Sequence, residues 1–318
     1  MPESTRPLIS YIFPIYNESG NIELLYTTVA ELLAEHPENE YELLFVNDGS
    51  RDDSLQLLYG LEDRDDRVVV VDLSRNFGHQ MAVTAGLDRA RGDAVIIMDS
   101  DLQDPPAVSL ELIERWREGF DVVYAQRRSR RDSAFKKITA NVYYRVLRSV
   151  TEIDIPRNTG DFRLIDRQVV DQLVAMREHS RFLRGMVSYV GFRQIAVQFD
   201  RDERHAGVTG YPLRKMLKFA ADGVLSFSTF PLKMIARVGY LFATASFLVT
   251  LWVTAQRLIS PENVVEGWTF LVIIVLLTSG VQMIMLGVVG SYIGRTYTES
   301  QHRPLYIVRD PGHRRTAR

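Results

Sequence analysis

The first two thirds of the chain alternate between short apolar runs and segments whose apolar residues recur every three or four positions. The apolar runs are rich in branched residues, which is typical of β-strands. They read LISYIFP, YELLFVND, RVVVVDLS, DAVIIMDS, FDVVYAQ and, further along, RQIAVQF. The segments between the first five have the spacing of amphipathic helices, and this alternation favours a mostly parallel sheet covered by helices. We therefore predict an α/β, Rossmann-like domain over residues 1–205.

The last third of the chain contains two long apolar runs without charge. No charged residue occurs from Val238 to Gln256, and none occurs from Gly267 to Gly294. About 20 apolar residues are enough to cross the hydrocarbon core of a bilayer. We predict two transmembrane helices within residues 233–296, with a pair of buried core helices as the alternative.

Charged residues on either side of these runs predict an orientation. Lys and Arg cluster on both outer flanks, whereas the connection RLISPENVVE carries one Arg and two Glu. Basic loops favour the cytoplasm. We therefore expect the chain to cross the inner (plasma) membrane twice, with both termini on the cytoplasmic side. The polar start MPESTRPL lacks the features of a signal peptide, which agrees with this orientation.

Two further segments border the predicted spans. Residues 206–232 combine helical apolar spacing with Lys and Arg, which predicts an amphipathic linker at the membrane surface. An ordinary connector helix is the alternative for this linker. Residues 297–318 are expected to form a basic cytoplasmic tail.

Composition and missing motifs narrow the classes of function. The net charge of −2 gives no basic excess, so nucleic acid is not an expected partner. The absence of Cys excludes disulfides and Cys-ligated metals. No G-x-G-x-x-G turn follows the first strand and no Walker-type phosphate loop occurs, which argues against a dinucleotide oxidoreductase and a P-loop NTPase.

An acidic cluster follows the fourth predicted strand, where parallel sheets bind ligands. Asp99 and Asp101 are one residue apart, so both carboxylates can reach one cation, and Gln103 can add an amide oxygen. Mg²⁺ or Mn²⁺ prefers such hard oxygen ligands and keeps positions open for substrate phosphates. We predict a divalent metal bound to a nucleotide diphosphate. The alternative is a helix start with Asp104 as its N-cap.

Four segments in order carry a resemblance to a known family. They are FPIYNESGNI, LLFVNDGSRDDS, NFGHQMAVTAGLDRARGDAVIIMDSDLQDPP and NTGDFRLIDRQVV. Together they resemble the family 2 inverting glycosyltransferases of GT-A fold over nearly the whole chain. The two apolar runs and SDLQDPP look like polyprenyl-phosphate glycosyltransferases, nearer to bactoprenol (undecaprenyl-phosphate) glucosyltransferases than to the related dolichyl-phosphate mannose synthases. The family has two acids before Gly-Ser, whereas the first position here is Asn47.

The resemblance implies roles for the residues that end the first, second and fourth strands. The nucleotide pocket would be lined by Pro14, Asn17, Glu18, Asn47 and Asp48. Simple turn residues are the alternative for Asn17 and Asp48. The metal and the diphosphate would be held by Asp99, Asp101 and Gln103, which makes Asp101 essential for catalysis.

The segment RNTGDFRLIDR supplies a second set of candidates. If it is extended, Asp161 and Arg163 project to the same side. The resemblance implies that Asp161 lies beside the sugar as the base, and Arg163 suits a phosphate because its planar fork donates two bonds. A surface salt bridge between the two is the alternative. Three more arginines are expected at substrate phosphates or in a closing loop, namely Arg127, Arg201 and Arg204. For His79 and Gln80, closure over the sugar and a plain helix start are equal alternatives.

These features predict an enzyme that transfers a hexose, glucose from UDP-glucose, to polyprenyl phosphate with inversion at the cytoplasmic membrane face. Its product would serve glycan or glycolipid modification. Two alternatives stay open: the same chemistry with GDP-mannose or another nucleotide sugar, and a non-catalytic nucleotide-sugar sensor. A homo-oligomer is expected because two spans form a poor bundle, and a tetramer is one option.

Overall fold

The computed structural model describes residues 6–128, 159–200, 230–259 and 268–309. Its centre is a seven-stranded sheet in the order β3-β2-β1-β4-β6-β5-β7. The strands are β1 Leu8–Ile15, β2 Glu40–Asn47, β3 Val68–Asp72, β4 Ala94–Ile97, β5 Val122–Arg127, β6 Thr159–Asp166 and β7 Gln194–Phe199. Strand β6 runs antiparallel to β4 and β5, and every other neighbouring pair is parallel. The predicted α/β fold with a mostly parallel sheet is confirmed.

Helices cover both faces of this sheet. The described helices are α1 Ile22–Ala34, α2 Ser54–Glu62, α3 His79–Arg89, α4 Val108–Arg117, α5 Arg167–Ala175, α6 Leu183–Tyr189, α7 Phe230–Ile259 and α8 Trp268–Ser300. One core cluster packs α1, α2 and α4 against the sheet, and a second packs α3, α5 and α6 against the other face. In β1, Tyr11 and Phe13 enter the first cluster while Ile12 enters the second. Successive side chains of a strand point to opposite faces, so a strand buried on both sides needs a continuous apolar run.

Strand β6 was not among the predicted strands. Its sequence TGDFRLID places Asp161 and Arg163 on one face, and both are buried. Buried charges interrupt the apolar run by which the other strands were found. The pairing of Arg163 with Ile97 in β4 brings this strand beside the acidic cluster.

The two charge-free runs form the helices α7, of 30 residues, and α8, of 33 residues. Judged on the described residues alone, neither of them nor any other helix is both long and apolar enough to cross a membrane. Most of the predicted amphipathic linker and the connection between the two helices lie outside the described residues.

Candidate active site

The site lies at the point in the sheet where the order of the strands reverses, with β2 on one side of β1 and β4 on the other. Strand β1 sits between β2 and β4, and all three end at the same edge. The antiparallel β6 begins at that edge next to β4. Such a crevice beyond the carboxyl ends of the strands is the usual ligand site of open α/β sheets.

Asp161 lies at the centre of the cluster and is buried. Nε of Arg184 donates to its Oδ1 at 2.7 Å, and Nε2 of His79 lies 3.1 Å from its Oδ2. Nη2 of Arg163 is 3.9 Å from Oδ1, and Nε2 of Gln80 is 3.5 Å from Oδ2. Burial raises the pKa of Asp161, but the charge of Arg184 and the hydrogen bond from His79 outweigh it and hold the pKa well below its usual range. Asp161 is therefore an anion with little tendency to accept a proton.

His79 is the first residue of α3 and lies between two acids. Besides its bond to Asp161, its Nε2 is 3.8 Å from Oδ1 of Asp99. Burial lowers the pKa of His79, yet the hydrogen bond and charge of Asp161, with the charge of Asp99, raise it above the ordinary value overall. The predicted helix start is confirmed for His79 and Gln80, and both residues also contact Asp161. Their closure over the sugar stays a prediction.

The acidic loop after β4 concentrates negative charge. Loss of solvation raises the pKa of Asp99 to about 6, and Asp161, Asp104 and Asp101 add to the rise while His79 opposes it. The backbone turns sharply after Asp101, whose Oδ1 accepts from the amide of Gln103 at 3.2 Å. Leu102 between them has a positive φ of 52°.

Asp104, at the end of this loop, does not begin a helix. It is buried and pairs with Nη2 of Arg127 at 3.5 Å, while α4 starts at Val108 with Ala107 as its N-cap. The alternative of a plain helix start with Asp104 as cap is therefore wrong. Arg127 ends β5, and it reaches the acidic loop from the strand beyond β6.

Asp48, at the end of β2, fixes the loop that leads into α3. Its two carboxylate oxygens accept from the amides of Phe77 and Gly78 at 2.7 and 2.9 Å. Burial raises its pKa, and the two amide bonds oppose that rise. A carboxylate has about four acceptor positions, so these two bonds leave capacity for a ligand.

Asn47 is held by the protein on both sides of its amide. Its Nδ2 donates to Asp72 at 2.7 Å, and its Oδ1 accepts from the amide of Ser50 at 3.1 Å. Only 1% of the residue is exposed. Asn47 therefore shapes the turn of residues 47–50. At Gly49 the φ is +65°, and a Cβ would lie 2.4 Å from the backbone of Arg75, so only glycine fits this turn.

The β1–α1 loop carries the remaining predicted pocket residues. Asn17, with a φ of 55°, accepts from the amide of Arg51 at 2.8 Å and so joins this loop to the loop after β2. Glu18 accepts from Nδ2 of Asn21 at 2.6 Å, at the start of α1. Pro14 is buried within β1 opposite Val46, below the loop.

Comparison with known proteins supplies the family. The family described as glycosyl transferase family 2 matches residues 10–174. An uncharacterized glycosyltransferase of Bacillus subtilis (strain 168), YkcC, is 49% identical over 94% of this chain and 92% of its own length. A bactoprenol glucosyl transferase of Shigella phage SfV is 41% identical over 95% of this chain and 98% of its own. A solved mycobacterial protein is similar with a TM-score of 0.49 and 20% identity over 69% of this chain and 73% of that one.

The chain belongs to glycosyl transferase family 2. This confirms the resemblance found in the sequence, and the chain is therefore a glycosyltransferase. The matched residues 10–174 contain the loops after β1, β2 and β4 together with all of β6, so they include these parts of the crevice.

The acidic loop of the glycosyltransferase fits a divalent cation by its donor chemistry. Asp99 and Asp101 provide carboxylate oxygens, and the amide nitrogen of Gln103 is buried without a hydrogen-bond partner among the described residues. That amide can turn to offer its oxygen instead. Within the described ranges no group of three His, Cys, Asp or Glu side chains could hold a metal. Mg²⁺ nevertheless needs few protein ligands when substrate phosphates also bind it. Two carboxylates and one amide are therefore enough protein ligands for such a site.

The remaining arginines of the glycosyltransferase fall into three groups. Arg163 is buried, donates to the carbonyl of Gly160 at 2.9 Å, and has a pKa that burial lowers to about 10, so it stays charged. Arg201 and Arg204 lie outside the described residues. Arg184, on α6, was missed by sequence reasoning, because no strand end or motif marks SRFLRG.

Proposed function

We propose that this glycosyltransferase transfers glucose from UDP-glucose to the phosphate of a polyprenyl lipid, with inversion at the anomeric carbon. The observation that carries the proposal is the buried Asp161 surrounded by His79, Arg163 and Arg184 next to the acidic loop. Two anionic substrates require such alternation of charge. Relatives named bactoprenol glucosyl transferase, about 40% identical over 95% of the chain, support both the lipid and the sugar.

The donor would lie along the loops after β1, β2 and β4. Asp48 and the turn of residues 47–50 would border the nucleoside, and the diphosphate would face Asp99 and Asp101. With Gln103 these two residues would hold Mg²⁺ or Mn²⁺, which when bound neutralises charge on the leaving diphosphate. Arg127 reaches the acidic loop through its contact with Asp104 and would add positive charge there.

Asp161 would organise cations instead of accepting a proton. A lipid phosphate monoester is already anionic near pH 7, because its second pKa is about 6. Its oxygen therefore needs a defined position and charge compensation more than a base. Oδ1 of Asp161 accepts from Nε of Arg184, and its Oδ2 contacts His79. Arg163 and Arg184 would then bind the acceptor phosphate.

A donor panel tests this assignment. Purified full-length protein with polyprenyl phosphate and Mn²⁺ is expected to turn over UDP-glucose at least about tenfold faster than GDP-mannose, UDP-galactose or UDP-N-acetylglucosamine. The readout is radiolabelled lipid product. The matched control acceptor is the same polyprenol without its phosphate, which should give no product because the cations lack their ligand. A preference for GDP-mannose would refute the donor, and no transfer from any sugar would favour the sensor.

We further propose that α7 and α8 cross the cytoplasmic membrane, with the catalytic domain and both termini inside. The described residues alone yield no membrane-spanning helix, so this proposal rests on the full sequence, in which residues 238–256 and 267–294 carry no charge. The length of α7, about 45 Å for its 30 residues, also supports it. Among the described side chains, large apolar groups are exposed along both helices, including Phe247, Trp252 and Met283 at 63–70%. Apolar surfaces of this extent are typical of membrane or protein contacts.

Labelling of introduced cysteines tests the orientation, since the natural chain has none. In spheroplasts, a membrane-impermeant maleimide is expected to label Glu262→Cys, in the connection between the helices. The matched control Asp63→Cys, on the exposed end of α2, should react only after lysis. If Glu262→Cys stays unlabelled until lysis, the proposed crossing is wrong.

A further inference from the structure

A short segment after α8 returns to the catalytic domain. Residues 304–309, here called the C-terminal segment, lie along β3, which is an edge strand of the sheet. Val308 forms an antiparallel bridge with Leu73, and the amide of Ser74 donates to the carbonyl of Ile307 at 2.8 Å. Leu305 is buried, and the segment thus covers an edge that would otherwise expose unpaired backbone groups.

Hydrogen bonds hold both the end of α8 and the C-terminal segment to the same domain. His179 donates its backbone amide to Glu299 at 2.8 Å, and its ring nitrogens lie 3.0 Å from that carboxylate and 2.9 Å from the carbonyl of Arg303. The hydroxyl of Tyr306 donates to Asp88, near the end of α3. The C-terminal segment is therefore anchored by contacts of the residues just before it and of Tyr306 within it.

Arg309 connects this segment to the donor side of the active site. Its Nη1 is 3.2 Å from Oδ2 of Asp72, and its Nη2 donates to the carbonyl of Ser74 at 3.0 Å. The other oxygen of Asp72 accepts from Asn47. Asn47 in turn binds the amide of Ser50, whose hydroxyl accepts from the backbone of Asn17.

The charge balance of this chain of contacts depends on Arg309. Asp72 is only 5% exposed, and a buried carboxylate is costly unless it is paired. Without the guanidinium, Asp72 would keep the neutral amide of Asn47 as its side-chain donor and would be drawn toward water. Asn47 would follow, and the turn of residues 47–50 would lose its fixed shape.

We propose that Arg309 is a positioning residue for the donor nucleotide, acting through Asp72 and Asn47 on the turn of residues 47–50. This inference rests on the proposed function, because it takes that turn to border the nucleoside diphosphate. The residues after α8 would thus contribute to donor binding, because they connect the end of that helix to the donor pocket.

Substitution of Arg309 in the full-length, detergent-solubilised protein tests the proposal. Arg309→Gln is expected to raise the Kd for UDP-glucose with Mn²⁺, measured by calorimetry, about fivefold, since the lost pair is half exposed at one end. The KM for UDP-glucose should rise equally, while kcat and the KM for polyprenyl phosphate stay within about twofold. Arg309→Lys should recover part of the affinity, because one ammonium replaces the fork.

Two further variants make the result specific. Arg303→Gln is the matched control, since the exposed Arg303 offers only its carbonyl to His179; its donor affinity should equal that of the wild type. In a double-mutant cycle, Arg309→Gln should add little to Asn47→Ala, because both act on the same turn. Wild-type donor affinity in Arg309→Gln, a shifted lipid KM, or full additivity would overturn the inference alone. Wild-type protein that binds neither UDP-glucose nor UDP would overturn the proposed function, and this inference with it.

Discussion

Asp161→Asn is expected to lower kcat for sugar transfer by about 10²–10³-fold. The substitution removes the anion that His79, Arg163 and Arg184 share, so their positive charges repel one another and lose their positions. Removal of one partner from a buried charge cluster also costs stability, about 3 kcal/mol in the free energy of unfolding. Turnover of radiolabelled donor and a urea titration measure the two effects.

The control for this variant is Asp171→Asn, on α5. Asp171 is 63% exposed and pairs with Arg167 at 3.7 Å, so its loss should leave both activity and stability nearly unchanged. A double-mutant cycle of Asp161→Asn with Arg184→Gln should show coupling of at least about 1 kcal/mol. Independent, additive effects would contradict the role of Asp161 as an organiser of cations.

The pH dependence separates this role from that of a base. The pKa of Asp161 is depressed, so its stabilising charge is fully present above its unfolded value of about 4 and is lost only as the pH falls through the lower folded value. Between about pH 5 and pH 9 its ionisation is constant, so any step in wild-type kcat should come from other groups, such as His79, whose pKa Asp161 raises. A step that disappears in Asp161→Asn but persists in His79→Gln would instead identify Asp161 as the base.

Asp101→Ala is expected to abolish transfer, with kcat reduced at least about 10³-fold. Its carboxylate is one of the two in the acidic loop that can hold the divalent cation, and without it the charge of the leaving diphosphate is not neutralised. Chelation of divalent ions by EDTA should have the same effect on the wild type, and Mn²⁺ should reverse it. Because Asp101 is only partly buried, folding and the proposed membrane insertion should be retained.

Binding measurements complete this test. Calorimetric titration of Mn²⁺ in the presence of UDP should detect a site in the wild type and none in Asp101→Ala. The control Asp63→Ala removes an exposed carboxylate at the end of α2 and should behave as wild type in both assays. Full turnover by protein freed of divalent ions would remove the metal from the mechanism.

The sequence alone determined the fold class and the position of the acidic loop. Continuous apolar runs can be buried on both faces only in the centre of a covered sheet, so six of the seven strands were found from local pattern. Polar residues directly after such runs must lie at the edge of the sheet formed by the carboxyl ends of its parallel strands. The sequence alone therefore predicted that Asp48, Asp99 and Asp101 lie at the crevice. The ordered motifs supplied the family.

The tertiary structure decided which side chains meet. Arg184 is 23 positions from Asp161, and Arg309 is 237 positions from Asp72; no local period records either pairing. Strand β6 was missed because its buried charges break the apolar run, and those same charges form the centre of the site. The hydrophobic pattern of a sequence indicates whether a residue is buried. The partner of a buried charge depends instead on how elements distant in the sequence pack together. In this protein, that packing determined the candidate chemistry.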